Sequence, residues 1–77
     1  MEEFLKTIIS NLVDNKEEVD IKMIENENSI DFEVRVAEGD MWRVIGKQGK
    51  TAKSIRTVMK SVAAKDGHKK VSVEFIG

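Results

Sequence analysis

The sequence predicts an α+β fold in which one three-stranded mixed sheet carries three helices packed on one face. Three observations lead there. Apolar residues recur at helical spacing in two long stretches and a shorter one, and they alternate with polar residues in three others. The elements fall in the order αββααβ. The chain has 77 residues, which is room for one domain spanning 1–77.

Phe4, Leu5, Ile8, Ile9 and Leu12 mark an amphipathic helix over 2–13, with Glu2 and Glu3 suited to its N-terminus. Asp14-Asn15-Lys16 breaks it. Val19, Ile21 and Met23 then alternate with Asp20 and Lys22, the pattern of a half-buried strand. The run Glu25-Asn26-Glu27-Asn28 reads as a turn, with Asn suited to positive φ. Ile30, Phe32, Val34 and Val36 form the cleanest alternation, a strand expected to pair antiparallel with the one before it. Arg35 on that strand is expected to pair with Glu33 as an ordinary charge pair.

Gly39-Asp40 opens a short helix, with Asp40 as N-cap and Met41, Val44 and Ile45 turned inward. It must stop at Gly46. A longer helix follows from near Lys50 to about Ala64. Ala52, Ile55, Met59, Val62 and Ala63 make its apolar face, while Lys50, Lys53, Ser54, Thr57, Lys60 and Ser61 share the other. Gly67 is a natural left-handed terminator. Val71, Val73 and Phe75 alternate as the last strand. A right-handed crossover then sets the second and third strands side by side and parallel.

Composition excludes several function classes. There is no Cys, hence no disulfide, no thiolate nucleophile and no cysteine zinc site. The lone histidine, His68, follows a helix-ending glycine and is expected to be a solvated turn residue, too little for a metal centre or a Ser-His-Asp relay. Asp14, Asp20, Glu25 and Glu27 fall on turns and solvent-facing positions, where nothing raises a carboxyl pKa for acid–base work. No apolar run approaches the roughly 20 residues of a membrane span, and Met1-Glu2-Glu3 is unlike a signal peptide. The expectation is a soluble cytoplasmic binding module, not an enzyme, with no cofactor, no metal and no membrane partner.

The formal net charge of −1 conceals an asymmetry. Residues 1–40 carry four basic against twelve acidic side chains, a net −8, and residues 41–77 carry nine against two, a net +7. Between Met41 and Lys65 there are seven Lys/Arg and no acid. Such a segment attracts polyanions, although it also fits a merely solvated basic helix.

The chemistry concentrates in Gly46-Lys47-Gln48-Gly49. Two glycines allow a sharp reversal between helices and a close approach of a ligand to the main chain. The first turn of the next helix favours an anion at the same place, and Lys47, Lys50 and Lys53 add cations. The run ends in Gly-Lys-Thr like a nucleotide-binding P-loop, but that motif needs glycine where this chain has Val44, and a strand before the loop.

The stretch from Val44 to Ile55, a branched aliphatic pair followed by Gly-x-x-Gly between two helices, resembles the signature of KH domains. The element order resembles the type II arrangement. The whole chain is similar to the small bacterial single-KH proteins of the KhpA (YlqC-like) family, through the Glu-Glu-Phe-Leu opening, Leu12-Val13-Asp14, Arg35-Val36-Ala37 and the core from Ile45 to Arg56. It departs at Ala52, where a larger aliphatic residue is usual, and at Trp42, where a small or polar one is.

The resemblance implies single-stranded RNA binding, as an RNA chaperone or post-transcriptional regulator, with the loop clamping about four nucleotides by their backbone. It assigns phosphate contacts to Gly46, Lys47, Gln48, Gly49 and Lys50, with Lys53 and Arg43 attracting from further off. Bases are expected over an apolar floor of Ile45, Ala52 and Val34 or Val36. Aromatics are only 5% of the chain, so one copy is expected to bind weakly, with strong salt dependence and little sequence preference. The resemblance also implies a homodimer, or pairing with a larger Jag-like KH protein linked to cell-wall and cell-shape control. The alternative is therefore a dimerisation module with RNA binding secondary, whose contacts are Trp42 (read as a half-buried packing or partner residue), Thr57, Lys60 and Ser61. Lys60 and Lys65 are otherwise solubilising.

Overall fold

Ile30, Phe32 and Val34 point to one side of the middle strand and Val36 follows just beyond it; all four are buried. The computed structural model describes residues 1–67 and 70–76; the expectation for His68 lies outside them. Its helices are α1 (Glu2–Ser10), α2 (Met41–Ile45) and α3 (Lys50–Lys65), and its strands are β1 (Asp20–Glu25), β2 (Ser29–Arg35) and β3 (Lys70–Ile76). Short 3-10 turns lie at Lys16–Glu18, Glu38–Asp40 and Lys47–Gly49.

The sheet order is β1-β2-β3. β1 pairs antiparallel with β2, Met23 opposite Phe32, and β2 pairs parallel with β3, Phe32 opposite Val73. This is the mixed sheet that the crossover argument requires. Leu5 and Ile9 of α1, Val44 of α2 and Ile55 and Met59 of α3 close over the β2 side chains as one core. Burying side chains of this size stabilises the fold by about 1.5–3 kcal/mol each. The other sheet face is polar, where the Ser72 hydroxyl donates to Asp31 Oδ1 at 2.7 Å across the parallel pair.

Several expectations need correction. α1 ends at Ser10 and not at residue 13: the Leu12 amide donates to the Ile9 carbonyl at 3.0 Å, a tighter turn that closes the helix. Val13 is still buried, so the apolar stripe outlasts the helix. Met23 is 39% exposed although it stands opposite the buried Phe32 on the edge strand β1, and Ile24, equally exposed, faces the polar side beside Asp31. Among the described residues Gln48 is the only non-glycine with positive φ, so Asn26 and Asn28 turn the chain without it. Arg35 faces Asp20 across the ladder, and Glu33 faces Lys22. Asp40 occupies the N-cap position of α2 but makes no capping hydrogen bond. Trp42 is exposed, not half-buried, and Ile45 lies at the surface while its neighbour Val44 is fully buried.

Candidate nucleic-acid interface

α2 stops at Gly46 because φ +76° and ψ 173° leave the helical region. The chain then makes one 3-10 turn through Lys47, Gln48 (φ 57°) and Gly49 (φ +75°, ψ 11°), and Gly49 becomes the N-cap of α3. The Gly46 amide donates to the Trp42 carbonyl at 2.9 Å, and the Gly49 amide to the Gly46 carbonyl at 3.1 Å. The Lys50 amide closes on the Lys47 carbonyl. These amides are used to hold the bend, so they are not the ones an anion meets. Lys47, Gln48, Lys50 and Lys53 are all exposed. Nothing lies within 4 Å of where a Gly49 Cβ would stand. The bend is therefore not continuous helix, and it is open at Gly49, while at Gly46 the Thr51 side chain packs against it. A helix precedes it, which also removes the P-loop reading.

Arg43 is engaged elsewhere. Its Nη2 lies 2.9 Å from Asp14 Oδ2 and its Nε 3.4 Å from Asp40 Oδ1, the latter an ionic contact out of line for a hydrogen bond. Asp40, only 2% exposed, also accepts the Asn15 amide at 3.0 Å. That amide holds its carboxyl below the usual carboxylate range; burial opposes the shift, and the Asp14 amide and the Arg43 charge assist it. Two carboxylates thus neutralise the cation expected to attract phosphate, and the cluster ties the segment after α1 to the start of α2.

The expected apolar floor is not assembled at the surface. Ala52, Val34 and Val36 are buried in the core, and of the expected floor residues only Ile45 is exposed. An open furrow of about 490 Å³ instead runs between α3 and β3, with Lys53, Arg56, Thr57 and Lys60 on one wall and Val71 to Glu74 on the other. A second groove of about 500 Å³ flanks α3 at Lys50, Lys53, Ser54, Thr57 and Val58. Lys53 borders both. Thr57 and Lys60, expected as partner contacts, line the furrow, and Ser61 is exposed on the same helix. Arg56, Ser72 and Glu74 also line the furrow and were not among the candidates read from the sequence. The spacing of Lys53, Arg56 and Lys60 on one helix face was the available signal for the first. Among the described residues no three His, Cys, Asp or Glu side chains stand close enough to hold a metal ion, and no helix is long and apolar enough to cross a membrane.

A family model described as KhpA/KhpB, KH domain, matches residues 2–75. The chain belongs to the KhpA/KhpB KH-domain family. The αββααβ order, the mixed sheet and the Gly-x-x-Gly bend are those of a type II KH fold in this family. The RNA-binding protein KhpA of Chlamydia trachomatis is 49% identical over 76 residues, covering 99% of this chain and 96% of its own. The proteins of the same name from Clostridium acetobutylicum and Listeria monocytogenes are 49% and 43% identical, covering 99% of this chain and 100% and 99% of their own. No solved structure matches.

Proposed function

We propose that the protein binds single-stranded RNA, with the sugar–phosphate backbone at Gly46–Gly49 and bases entering the furrow between α3 and β3, and that it serves as an RNA chaperone or post-transcriptional regulator. The observation that carries this reading is a glycine-flanked bend, open at Gly49, with Lys47, Lys50 and Lys53 exposed around it. Exposed cations at a bend whose main chain a ligand can approach suit a polyanionic backbone better than a compact small molecule. Val71 offers a partly apolar wall, with Lys53, Thr57 and Lys60 opposite it. The KhpA names of the relatives point the same way.

Replacing Lys47 and Gln48 together by Asp tests the reading. Both side chains are exposed, so the far-UV circular dichroism and the melting temperature should hold, while RNA recovered by crosslinking in cells should vanish. Unchanged recovery would refute the loop as the phosphate site.

Pairing is the second reading. One KH site spans few nucleotides, and two linked sites multiply affinity through effective concentration. Self-association, or pairing with a larger KH protein, therefore belongs to the same proposal. Thr57 and Lys60 line the furrow, so a partner seated there displaces RNA, whereas a partner seated elsewhere does not. Light scattering with and without RNA separates the two: a dimer that dissociates on adding RNA would place the contact on the furrow side of α3.

A further inference from the structure

We propose that Trp42 is a stacking platform for a nucleobase of the strand held at the glycine bend, an inference that rests on the RNA-binding reading above. Trp42 is 65% exposed, more than any other large apolar side chain in the core-packed region or on its rim. A single exposed apolar residue needs no explanation. This one is held in place. The Arg43 guanidinium lies 4.6 Å from the centroid of its ring, and that guanidinium is fixed by Asp14 and by the buried Asp40. An anchored cation backs the indole and leaves the rest of the ring facing solvent, an arrangement ordered before any ligand arrives.

Its position fits a base. The Trp42 carbonyl accepts the Gly46 amide, so the residue that carries the ring lies one helical turn before the first glycine of the bend. Ile45, three residues on, shares that face of α2 and is also exposed. Phe32 is fully buried, Phe75 is half-buried beside the Arg56 guanidinium, and Phe4 belongs to α1. Trp42 is thus the exposed aromatic on the element that leads into the bend. Asp14 and Asp40 offset the Arg43 charge, but the chain that follows supplies Lys47, Gln48 and Lys50, with no acid from residue 41 to 65. That setting favours a polyanion carrying flat rings over an apolar protein surface. Base–aromatic stacking is sequence-tolerant, because every base has a π-face.

The chain has one Trp and no Tyr, so its emission reports on this ring. The full chain is titrated with an eight-nucleotide RNA of mixed sequence and with an abasic sugar–phosphate oligomer of the same length. Affinities are read in parallel by anisotropy of end-labelled copies. RNA should quench the emission and the abasic oligomer should bind without doing so. Trp42→Ala should weaken RNA binding about five- to a hundredfold and leave abasic binding unchanged, with Trp42→Phe restoring much of the loss. RNA binding of equal strength in wild type and Trp42→Ala, with unaltered emission, would overturn the platform and leave the RNA reading intact. Emission that shifts to the blue with protein concentration and ignores RNA would overturn it in favour of a contact between protein surfaces. Wild-type protein that binds neither oligomer would instead sink the RNA reading itself.

Discussion

A side chain at Gly46 has no room beside Thr51. A Cβ there would stand 2.7 Å from Thr51 Cβ and 2.9 Å from the Thr51 amide nitrogen, and φ +76° with ψ 173° is backbone that only glycine adopts freely. Gly49 also has positive φ, but a Cβ there meets nothing within 4 Å. The two glycines of the motif are therefore unequal. Gly46→Ala should lower stability by about 2–4 kcal/mol through combined strain and overpacking, and Gly49→Ala by about 1 kcal/mol. Urea melts of the two variants check this, and equal losses would contradict it.

The Asp40 carboxylate makes stability depend on acid. Its folded-state pKa is lowered, chiefly by the Asn15 amide, so the stabilisation is complete above the ordinary Asp value of about 3.9 and is lost as pH falls through the lower folded value. Wild type should lose melting temperature below about pH 4 more steeply than Asp40→Asn, which lacks this proton-linked contribution. Parallel slopes for the two from pH 6 to pH 2 would remove Asp40 from the account.

How far the sequence could be read follows from which contacts are local. The alternation of Ile30, Phe32 and Val34 identifies β2 because a strand with one buried face has a period of two. Gly46 and Gly49 mark the bend because their spacing is itself the geometry. Arg43 could not be read this way: its partner Asp14 lies on another element, and only the fold brings them together. The furrow is equally invisible, since its walls come from α3 and β3. Leu12 and Val13 misled in the opposite sense. Both continue the apolar period of α1 and pack on the core, although the helix has already ended at Ser10. Ile45 looked like core because one short turn cannot reveal which of two adjacent aliphatic residues faces inward; Val44 does.

Arg56 covers part of β3. Its Nε donates to the Val73 carbonyl at 3.2 Å, and its guanidinium lies 5.8 Å from the Phe75 ring centroid. β3 ends the sheet order among the described strands, so the arginine occupies an acceptor that another chain's strand would otherwise pair with. Arg56→Ala should lower stability by about 1 kcal/mol and raise the tendency to associate at high concentration, read by light scattering. Arg56→Lys keeps the charge but not the planar fork, and it should recover only part of the loss. A lysine variant indistinguishable from wild type would show that charge alone suffices.

Salt dependence separates specific phosphate contacts from general attraction. For single strands each neutralised phosphate contributes a slope of about −0.7 to log K against log salt. Lys50 and Lys53 stand in the first turn of α3, and Lys65 stands at its far end, ~22 Å along the axis at 1.5 Å per residue. That separation exceeds the ~8 Å screening length at physiological ionic strength, so a strand held at the bend does not feel Lys65. The double variant Lys50→Ala/Lys53→Ala should therefore reduce the slope by about 1.4, while Lys65→Ala leaves it unchanged. Binding isotherms between 50 and 300 mM salt, values chosen on the order of those that resolve such slopes, measure both. An equal change per charge removed at the two ends would mean that the whole helix acts as a diffuse cation and that the bend holds no phosphate of its own.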